Sequence, residues 1–310
     1  MASVTVVGEV VIDRVMNGES CNDVPGGSSA NVALALTRCG YHVDFRARFG
    51  ADTYGQLLRS HAIDAGVDVT NSVSATEPAT VVDISLDEQG SPTYTFHLSG
   101  TADWQWTTDE LARPLPTDTS AIVLGSLASI ATPGFDAQYA WAQAHSQSGI
   151  PIFYDPNVRP TAIKALDFVD LARARIMQWV KLADVVKASD EDLLWCNPAE
   201  SAQETAEYFS TLGPQLVILT AGSQGAFAFR NGALIAQVQA PHVSVVDTVG
   251  AGDTLMAWLV SGYCELPAAQ QADSAKIQEV LAQAVKAAAY TCTRTGCDPI
   301  YRDQLPYFLT

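Results

Sequence analysis

Segments with the patterns of strands and helices alternate through the second half of this chain, and that alternation constrains the fold more than any other feature. Short apolar runs typical of buried strands lie at residues 121–124, 151–154, 184–187 and 216–219. Longer stretches typical of helices lie between them, at residues 135–147, 167–180 and 201–212. This order predicts a parallel sheet that is covered by helices on both faces.

The first half of the chain opens with the same kinds of element. A β-branched run indicates a first strand at residues 4–8, within a strand-like stretch over residues 3–12. The next predicted elements are a loop at 25–29, a helix at 30–39, a strand at 45–49 and a helix at 53–65. Ser28 or Ser29 is expected to cap the first helix, and Gly40 is expected to end it.

Apolar and polar residues then alternate along two segments, residues 79–86 and 92–98, which predicts a β-hairpin around Asp87-Glu88-Gln89-Gly90. The last predicted elements are a hairpin at 226–238, a strand-like run at 242–246, and helices at 254–263 and 274–291. We therefore predict one doubly wound α/β domain over residues 1–310. A small β-lid, formed by residues near 10–25 and 79–105, is expected to accompany it.

The chain is strongly acidic, with 34 Asp and Glu residues against 17 Lys and Arg residues in a total of 310. The net charge of −17 disfavours nucleic acid and anionic membranes as partners, because their phosphate groups would be repelled. The sequence shows no apolar run of the ~20 residues that a membrane helix needs, and no signal-peptide pattern. The six cysteines have no CxxC or metal-type spacing, which is typical of reduced thiols in a cytoplasmic protein.

The most distinctive local sequence is Asp247-Thr248-Val249-Gly250-Ala251-Gly252-Asp253-Thr254, at the start of a predicted helix. Small side chains leave the backbone N–H groups of Gly250, Ala251 and Gly252 unshielded, and such a helix start favours an anion. Asp253 would repel that anion, so its simplest chemical role is a base that takes a proton from a nucleophile. A glycine-rich turn with a capping aspartate is the other interpretation of the same residues.

Polar residues and glycines also follow the other predicted strands, and the carboxyl ends of parallel strands lie along one crevice. Asp13 fits either a turn or a carboxylate that accepts two sugar hydroxyls. Gly26 and Gly27 fit either a flexible loop or a close approach of a sugar to the backbone. Asn31 fits either a cap of its own helix or a ligand of the same sugar.

Later strand ends carry the same ambiguity. Asn157 belongs to a turn-like Asp155-Pro156-Asn157, and Arg159 is either a solvated charge or a clamp for an oxyanion. Asp192 fits either an acidic first helical turn or a water-mediated contact to Mg²⁺. Residues 220–225 fit either the start of a hairpin or a phosphate site, and His97 is more often a packed residue than a catalytic one.

Together these motifs resemble those of the PfkB, or ribokinase-like, carbohydrate kinases over essentially the whole chain. Gly26-Gly27-x-x-Ala30-Asn31-x-Ala33 is similar to the N-terminal signature of that family, and residues 247–253 are similar to its C-terminal signature. The chain looks most like the fructokinase branch in the segments Gly8-Glu9, Ile12-Asp13, Ala102-Asp103, Asp155-Pro156-Asn157-x-Arg159 and Lys187-x-Ser189-Asp190-Glu191.

The resemblance implies a role for each matching residue. Asp253 would deprotonate the sugar hydroxyl, and the N–H groups of Gly250, Ala251 and Gly252 would form an anion hole. The substrate would contact Asp13, Gly26, Gly27, Asn31, His97, Asn157 and Arg159. ATP would lie against Lys187, Ser189, Thr220, Gly222 and Gly225. Mg²⁺ would contact Asp192 through water, and a monovalent cation, expected to be K⁺, would be held by Asp247, Val249, Thr291, Arg294 and Gly296.

Two positions depart from the family pattern. The Asn-x-x-Glu motif that the family associates with magnesium and phosphate is Ser189-x-x-Asp192 here, and aspartate is shorter by one methylene. An aromatic residue and an arginine often precede Gly-x-Ala-Asp in the lid, whereas this chain has His97-Leu98. Relatives that phosphorylate 2-keto-3-deoxygluconate bind its carboxylate with that arginine, so Leu98 disfavours an acidic sugar.

These residues predict a cytoplasmic phosphotransferase that uses ATP, Mg²⁺ and K⁺ to phosphorylate a primary hydroxyl of a neutral sugar, with fructose as the first candidate. Ribose, a nucleoside, an aminoimidazole riboside and 2-keto-3-deoxygluconate are alternative acceptors. A non-catalytic sugar sensor would have no use for Asp253, and a nicotinamide dehydrogenase would need Gly-x-Gly-x-x-Gly after the first strand. The expected partners are the small molecules. The resemblance also allows a homodimer through the edges of the lid, as in some relatives, and the sequence leaves this open.

Overall fold

A computed structural model describes residues 2–17, 20–86 and 92–308. The strands are Ser3–Val7 (β1), Val11–Asn17 (β2), Ser20–Gly26 (β3), His42–Arg46 (β4), Arg48–Phe49 (β5), Val73–Ser74 (β6), Thr80–Leu86 (β7), Pro92–His97 (β8), Thr119–Gly125 (β9), Ile152–Asp155 (β10), Val185–Ser189 (β11), Leu216–Thr220 (β12), Ala226–Arg230 (β13) and Ala233–Val238 (β14). The helices are Ser28–Arg38 (α1), Thr53–Asp64 (α2), Thr108–Leu111 (α3), Phe135–Gln147 (α4), Pro160–Ala165 (α5), Val169–Leu182 (α6), Asp190–Cys196 (α7), Ala202–Phe209 (α8), Ala251–Glu265 (α9) and Ser274–Thr291 (α10). Within these described ranges, no helix has the length and apolarity to cross a membrane.

Eight strands form the main sheet, in the order β14-β13-β12-β11-β10-β9-β1-β4. The six strands from β12 to β4 are parallel, and the hairpin of β13 and β14 adds an antiparallel edge. Successive side chains of the central strands pack on opposite faces of the sheet: Val123 of β9 joins the core with α1, α9 and α10, whereas Ile122 and Leu124 join the core with α4, α6 and α8. The predicted doubly wound sheet, covered by helices on both faces, is confirmed.

A second sheet of four strands, in the order β3-β2-β7-β8, forms the predicted lid. Strands β2 and β7 are parallel, and the outer strands pair with them antiparallel. Asp13 lies opposite Val82 in the register, and Arg14 lies opposite Asp83. Neighbouring residues of a strand point to opposite faces, so Asp13 and Arg14 lie on different faces of the lid. The predicted turn at residues 87–90 lies outside the described residues.

Two predictions for the first fifty residues are wrong in detail. Residues 3–12 do not form one strand, because the chain leaves the main sheet after Val7 and enters the lid at Val11. Residues 45–49 are divided in the same way between β4 of the main sheet and β5 of a separate two-stranded sheet. A β-branched or aromatic run predicts extended backbone, but it does not show where the chain changes sheets.

Two segments that border the candidate site, residues 25–29 and 242–246, also differ from their predicted structures. Residues 25–29 are not a loop, because β3 continues to Gly26 and α1 begins at Ser28. Gly27 occupies the N-cap position with a φ of 105°, and no side chain caps this helix. Residues 242–246 form no strand, and Val245 and Val246 are 63% and 62% exposed. The β-branched pattern at 242–246 therefore belongs to an exposed connection and not to a buried strand.

Candidate active site

The glycine-rich turn leads directly into α9, which begins at Ala251, three residues before the predicted start. Gly250 has a left-handed conformation, with a φ of 76°, which favours glycine. A Cβ atom at Gly250 would lie 2.4 Å from Sγ of Cys297, and one at Gly252 would lie 2.9 Å from Nζ of Lys187. The turn is therefore packed so closely that side chains would displace its neighbours, and an ammonium group lies beside it.

The three N–H groups that the sequence assigned to the anion hole are not equivalent. The N–H group of Ala251 donates to the carbonyl of Thr248 at 3.2 Å. The N–H groups of Gly250 and Gly252 have no backbone acceptor in the described part of the chain. These two groups, together with the dipole at the start of α9, are available for an anion without breaking a hydrogen bond.

Asp253 lies in the first turn of α9 and is only 8% exposed. Its Oδ1 accepts a hydrogen bond from Oγ of Ser28 at 2.7 Å, and its Oδ2 accepts one from Nδ2 of Asn31 at 2.8 Å. Both donors lie at the start of α1, which packs against α9. Ser28 therefore uses its hydroxyl to orient Asp253 and not to cap its own helix. Two donors hold the carboxylate in a fixed orientation.

Asp13, Arg159 and Asp253 are near enough to one another to interact electrostatically. Burial raises the pKa of Asp13 to about 6, the charge of Arg159 opposes that rise, and the charge of Asp253 adds to it. A Cβ atom at Gly26 would lie 2.2 Å from Oδ2 of Asp13. Gly26 therefore provides the space that the Asp13 carboxylate occupies. The structure brings Asp13, Gly26, Asn31 and Asp253 into one region.

Gly26→Ala tests whether the position of the Asp13 carboxylate matters for the acceptor. Gly26 does not have a positive φ, so the new methyl group would displace Oδ2 of Asp13 without backbone strain. If Asp13 binds a sugar, as the resemblance implies, we expect the KM for that sugar to rise about tenfold, as for a lost hydrogen bond to a charged group, with little change in the melting temperature. Gly40→Ala is the control. Its φ of 90° gives backbone strain, but its Cβ would contact nothing, so the KM for the sugar should stay unchanged. An unchanged KM in the Gly26 variant would contradict this role.

Lys187 and Asp155 form a buried ion pair next to the glycine-rich turn. Nζ of Lys187 lies 2.7 Å from Oδ2 of Asp155, and the two side chains are 6% and 5% exposed. Burial raises the pKa of Asp155 to about 6 although Lys187 opposes the rise. Burial also works against the charged form of Lys187, but its pKa is raised because Asp155, Asp192 and Asp253 surround it with negative charge. The ammonium group therefore stays protonated beside Gly252.

Asp192 has both carboxylate oxygens engaged by backbone N–H groups. Oδ1 accepts from Val158 at 2.7 Å and Oδ2 accepts from Ser189 at 2.9 Å, while Oγ of Ser189 accepts from the N–H group of Asp192. This capping box starts α7 and ties it to the loop that leads to Arg159. A carboxylate keeps further lone pairs for water, so Asp192 fits a contact to Mg²⁺ through water better than a direct bond.

The residues predicted to hold a monovalent cation come together at the loop before α9. Oδ1 of Asp247 accepts from the N–H group of Val249 at 3.1 Å, and Oδ2 accepts from that of Gly296 at 2.8 Å. Thr291 is the last residue of α10 and Arg294 follows that helix. This part of the chain lies beside the loop, because the N–H group of Val246 donates to the carbonyl of Cys292 at 2.8 Å. Carboxylate and carbonyl oxygens are the ligands that hard cations prefer, so this loop offers oxygen atoms of the kind that such a cation needs. In the residues that the structure covers, no group of three or more His, Cys, Asp or Glu side chains could hold a metal ion.

The residues predicted to contact ATP lie at adjacent strand ends. Thr220 ends β12 opposite Ser189 of β11, and its hydroxyl lies 3.5 Å from the carbonyl of Ala188. A Cβ atom at Gly222 would meet nothing within 4 Å, so this position faces open space. Gly225 is different, because a Cβ atom there would lie 2.0 Å from the carbonyl oxygen of Val238. The close approach of β14 to the residue before β13 is by itself a reason for glycine at position 225.

Two of the predicted substrate residues have other contacts here. Nε2 of His97 lies 2.7 Å from Oδ2 of Asp83, on the lid face opposite to Asp13. The structure therefore does not bring His97 to the region of Asp13 and Asp253. Asn157 has a φ of 37°, and its N–H group donates to Oδ1 of Asp155 at 3.1 Å. Asn157 therefore shapes the turn after β10, which is the alternative role that the sequence left open.

The site contains polar groups to which the sequence assigned no part in binding or catalysis. Ser28, expected only to cap its own helix, contacts the predicted base. Asp155, noted only as part of a turn-like segment that resembles the family, contacts the predicted lysine. Oδ1 of Asp103 accepts from the N–H group of Val10 at 2.8 Å, and Oδ2 accepts from Oγ1 of Thr80 at 2.5 Å. Asp103 thus joins the starts of β2 and β7 where both strands leave the body of the protein.

Glu9 is a second buried carboxyl group at the base of the lid, and we expect it to reduce stability at high pH. Burial raises its pKa from 4.5 to about 7. The unfolded chain therefore loses this proton first, so the free energy of unfolding falls as pH rises from 4.5 to 7. Glu9→Gln removes that loss and should stabilise the protein by up to about 3 kcal/mol at pH 8, but not at pH 4. Urea unfolding at the two pH values measures this difference.

The exposed residue Glu200 provides a matched control for that prediction. Glu200→Gln changes the same functional group in a solvated position, so its effect on the free energy of unfolding should be small at both pH values. Equal free energies of unfolding for wild type and Glu9→Gln at pH 8 would contradict the prediction that burial of Glu9 opposes its ionisation.

Comparison with known proteins gives consistent matches over the whole chain. Residues 1–303 match the pfkB family of carbohydrate kinases. A fructokinase of Rhizobium leguminosarum bv. trifolii is 31% identical over 259 residues, which cover 82% of this chain and 77% of that protein. The structure of aminoimidazole riboside kinase from Salmonella enterica, with aminoimidazole riboside and an ATP analogue, is 26% identical, covers 99% of both chains and gives a TM-score of 0.82. Fructokinase from Vibrio cholerae O395 with fructose, ADP and calcium shares the fold, with a TM-score of 0.85 at 24% identity over 100% of this chain and 99% of that one.

Proposed function

The chain belongs to the pfkB family of carbohydrate kinases, and we propose that it transfers the γ-phosphoryl group of ATP to a primary hydroxyl of fructose. The observation that carries this proposal is the position of Asp253. Its carboxylate is oriented by Ser28 and Asn31, lies in the turn that follows two free N–H groups, and is within electrostatic range of Lys187. A base beside an anion site is the arrangement that phosphoryl transfer to a hydroxyl needs.

In the proposed mechanism the chain holds the reactants and removes one proton. Asp13 and Asn31 bind hydroxyls of the sugar, and Arg159 approaches it from the loop after β10. Asp253 accepts the proton of the attacking hydroxyl. The N–H groups of Gly250 and Gly252 bind the charge on the transferred phosphoryl group, and Ala251 would join them only after leaving Thr248. Positioning of this kind supplies much of the rate in phosphoryl transfer.

Two cations fit the proposed site. Mg²⁺ would arrive with the phosphates of ATP and neutralise their charge, with Asp192 as a contact through water. K⁺ would lie at the loop of Asp247, Val249 and Gly296, close to the start of α9. ATP itself would extend from the anion site across Lys187 and Ser189 towards Thr220 and Gly222.

Fructose is preferred as the acceptor because several similar proteins are named fructokinases and because Leu98 offers no charge for an acidic sugar. An aminoimidazole riboside is the second candidate, because the kinase from Salmonella enterica that accepts it matches 99% of this chain. Both candidates use the same base and the same anion site. They differ in the part of the molecule that would lie against the lid.

The initial rate of ADP release with Mg-ATP separates these acceptors. Fructose, ribose, aminoimidazole riboside, a purine nucleoside and 2-keto-3-deoxygluconate would each be assayed at several concentrations, with K⁺ and with Na⁺ in its place. We expect the highest kcat/KM with fructose, and a higher rate with K⁺. A higher kcat/KM with aminoimidazole riboside would make it, and not fructose, the preferred acceptor. No turnover with any acceptor would reject the proposal.

We propose that residues 1–310 form one kinase domain and that the lid is a part of it. We also propose that the protein is cytoplasmic, in keeping with its cysteines, which are all free. We also propose a homodimer through the lid, because Val15, Val24 and Tyr94 are 40%, 36% and 44% exposed on the lid face that carries Asp13. Light scattering that gives a mass near 33 kDa would reject the dimer.

A further inference from the structure

The lid face opposite to Asp13 carries a continuous polar network with one residue from each of its four strands. Nε of Arg14 donates to Oδ1 of Asp23 at 3.0 Å, and its Nη1 lies 3.5 Å from Oδ1 of Asp83. Nε2 of His97 lies 2.7 Å from the other oxygen of Asp83. The network therefore crosses β3, β2, β7 and β8 in the order in which they lie in the sheet.

One residue outside the lid joins this network and connects it to the body of the protein. Nη2 of Arg14 donates to the hydroxyl of Tyr54 at 2.7 Å, and that hydroxyl donates to Oδ2 of Asp23 at 2.6 Å. The guanidinium group of Arg14 also lies 5.6 Å from the centre of the Tyr54 ring. Tyr54 is the second residue of α2, and Asp52 at the N-cap of that helix accepts from the N–H group of Ala79, next to the start of β7. Helix α2 thus meets the lid both at its base and on its face.

We propose that Arg14, Asp23, Asp83 and Tyr54 form a latch that positions Asp13 for the sugar. Arg14 directly follows Asp13 in β2, so the contacts that fix Arg14 against α2 also fix the backbone that carries Asp13. The latch does not touch the reacting atoms, because its side chains lie on the other face of the lid. Arg14 and Tyr54 are therefore positioning residues. This inference rests on the proposed function, since it assumes that Asp13 binds the acceptor.

The individual contacts of the latch are weak enough to break if the lid opens. The side chains of Arg14, Asp23 and Asp83 are 28%, 26% and 30% exposed, and ion pairs of that exposure are individually weak. The hydroxyl of Tyr54 links Arg14 to Asp23, and its hydrogen bond lowers the pKa of the Asp23 carboxyl group. A network of this kind shifts the population towards the conformation with Asp13 in place, and it can still be broken when the lid opens.

Tyr54→Phe tests the latch by removing one hydroxyl and keeping the ring. Two hydrogen bonds are lost, both to charged groups, and the ring still packs beside Arg14. We expect the KM for the sugar to rise about three- to tenfold, whereas kcat and the KM for ATP should change less than about twofold. Arg14→Met should give a similar change, and the double variant should be no worse than the single variants by more than about twofold, because both break one network.

Thr93→Val is the matched control, because the hydroxyl of Thr93 bonds to Ser85 within the lid. Its kinetic constants should equal those of the wild type. An unchanged sugar KM in Tyr54→Phe and Arg14→Met would overturn the latch, as would equal changes in the sugar KM, kcat and the KM for ATP. The acceptor is first identified with the wild-type chain, so failure of the proposed function would be seen before any variant is made.

Discussion

Asp253→Asn is expected to lower kcat by about 10² or more while the sugar still binds. The substitution keeps the size of the side chain and an oxygen that can accept from Ser28 or Asn31, but an amide cannot accept the proton of the hydroxyl. The position of the acceptor should therefore be preserved while the chemical step is lost. Steady-state kinetics gives kcat, and calorimetric titration with sugar in the presence of ADP gives the binding constant.

Asp136→Asn is the control for that result. Asp136 also lies in the first turn of a helix, α4, but it is exposed and belongs to no part of the proposed site. Its kcat should stay within about twofold of the wild type. If Asp253→Asn kept near-normal turnover, Asp253 would not be the base, and the mechanism would be wrong even with the fold and the family unchanged.

Lys187→Met is expected to have the second large effect, on both stability and turnover. The ammonium group is the direct partner of the buried Asp155, and removing one member of a buried ion pair typically costs about 3–5 kcal/mol. The same group lies beside Gly252, where charge on the phosphoryl group would develop, so kcat should fall about 10²-fold or more. Chemical unfolding and steady-state kinetics measure the two effects separately.

The double variant Lys187→Met, Asp155→Asn separates these two roles. It removes the unpaired charge but keeps an oxygen that can accept from the N–H group of Asn157. We expect most of the lost stability to return, because no uncompensated carboxylate remains, while kcat stays low. A double variant with restored stability and restored kcat would show that Lys187 acts only as a structural partner of Asp155. Full activity of Lys187→Met alone would exclude it from the site.

Much of the fold could be predicted because local patterns determine it. The apolar runs at residues 121–124 and 216–219 are buried on both sides, so they have the composition that parallel strands need, and the intervening helices follow from their length and period. The bounds of α4 and α10 agree with the prediction to the residue. The turn at residues 250–253 could be recognised because its glycines and its aspartate are adjacent in the chain.

The rest of the site could not be predicted because its contacts join distant parts of the chain. Ser28 and Asp253 are 225 positions apart, and no local pattern indicates that their side chains meet. The location of His97 depended on the register of β7 and β8, because a shift of one residue would have turned it towards Asp13. The latch around Arg14 and Tyr54 required both the lid register and the placement of α2, neither of which sequence alone supplies.

Product analysis with the wild-type protein shows directly whether phosphoryl transfer from ATP depends on a sugar. The protein would be incubated with Mg-ATP, K⁺ and fructose, and ³¹P NMR would follow ATP, ADP, inorganic phosphate and phosphorylated sugar. We predict one phosphate ester at a primary hydroxyl of fructose for each ADP formed, with little inorganic phosphate and little ADP when the sugar is left out. ADP that forms equally without a sugar, or the absence of a sugar phosphate with every acceptor of the panel, would contradict the account.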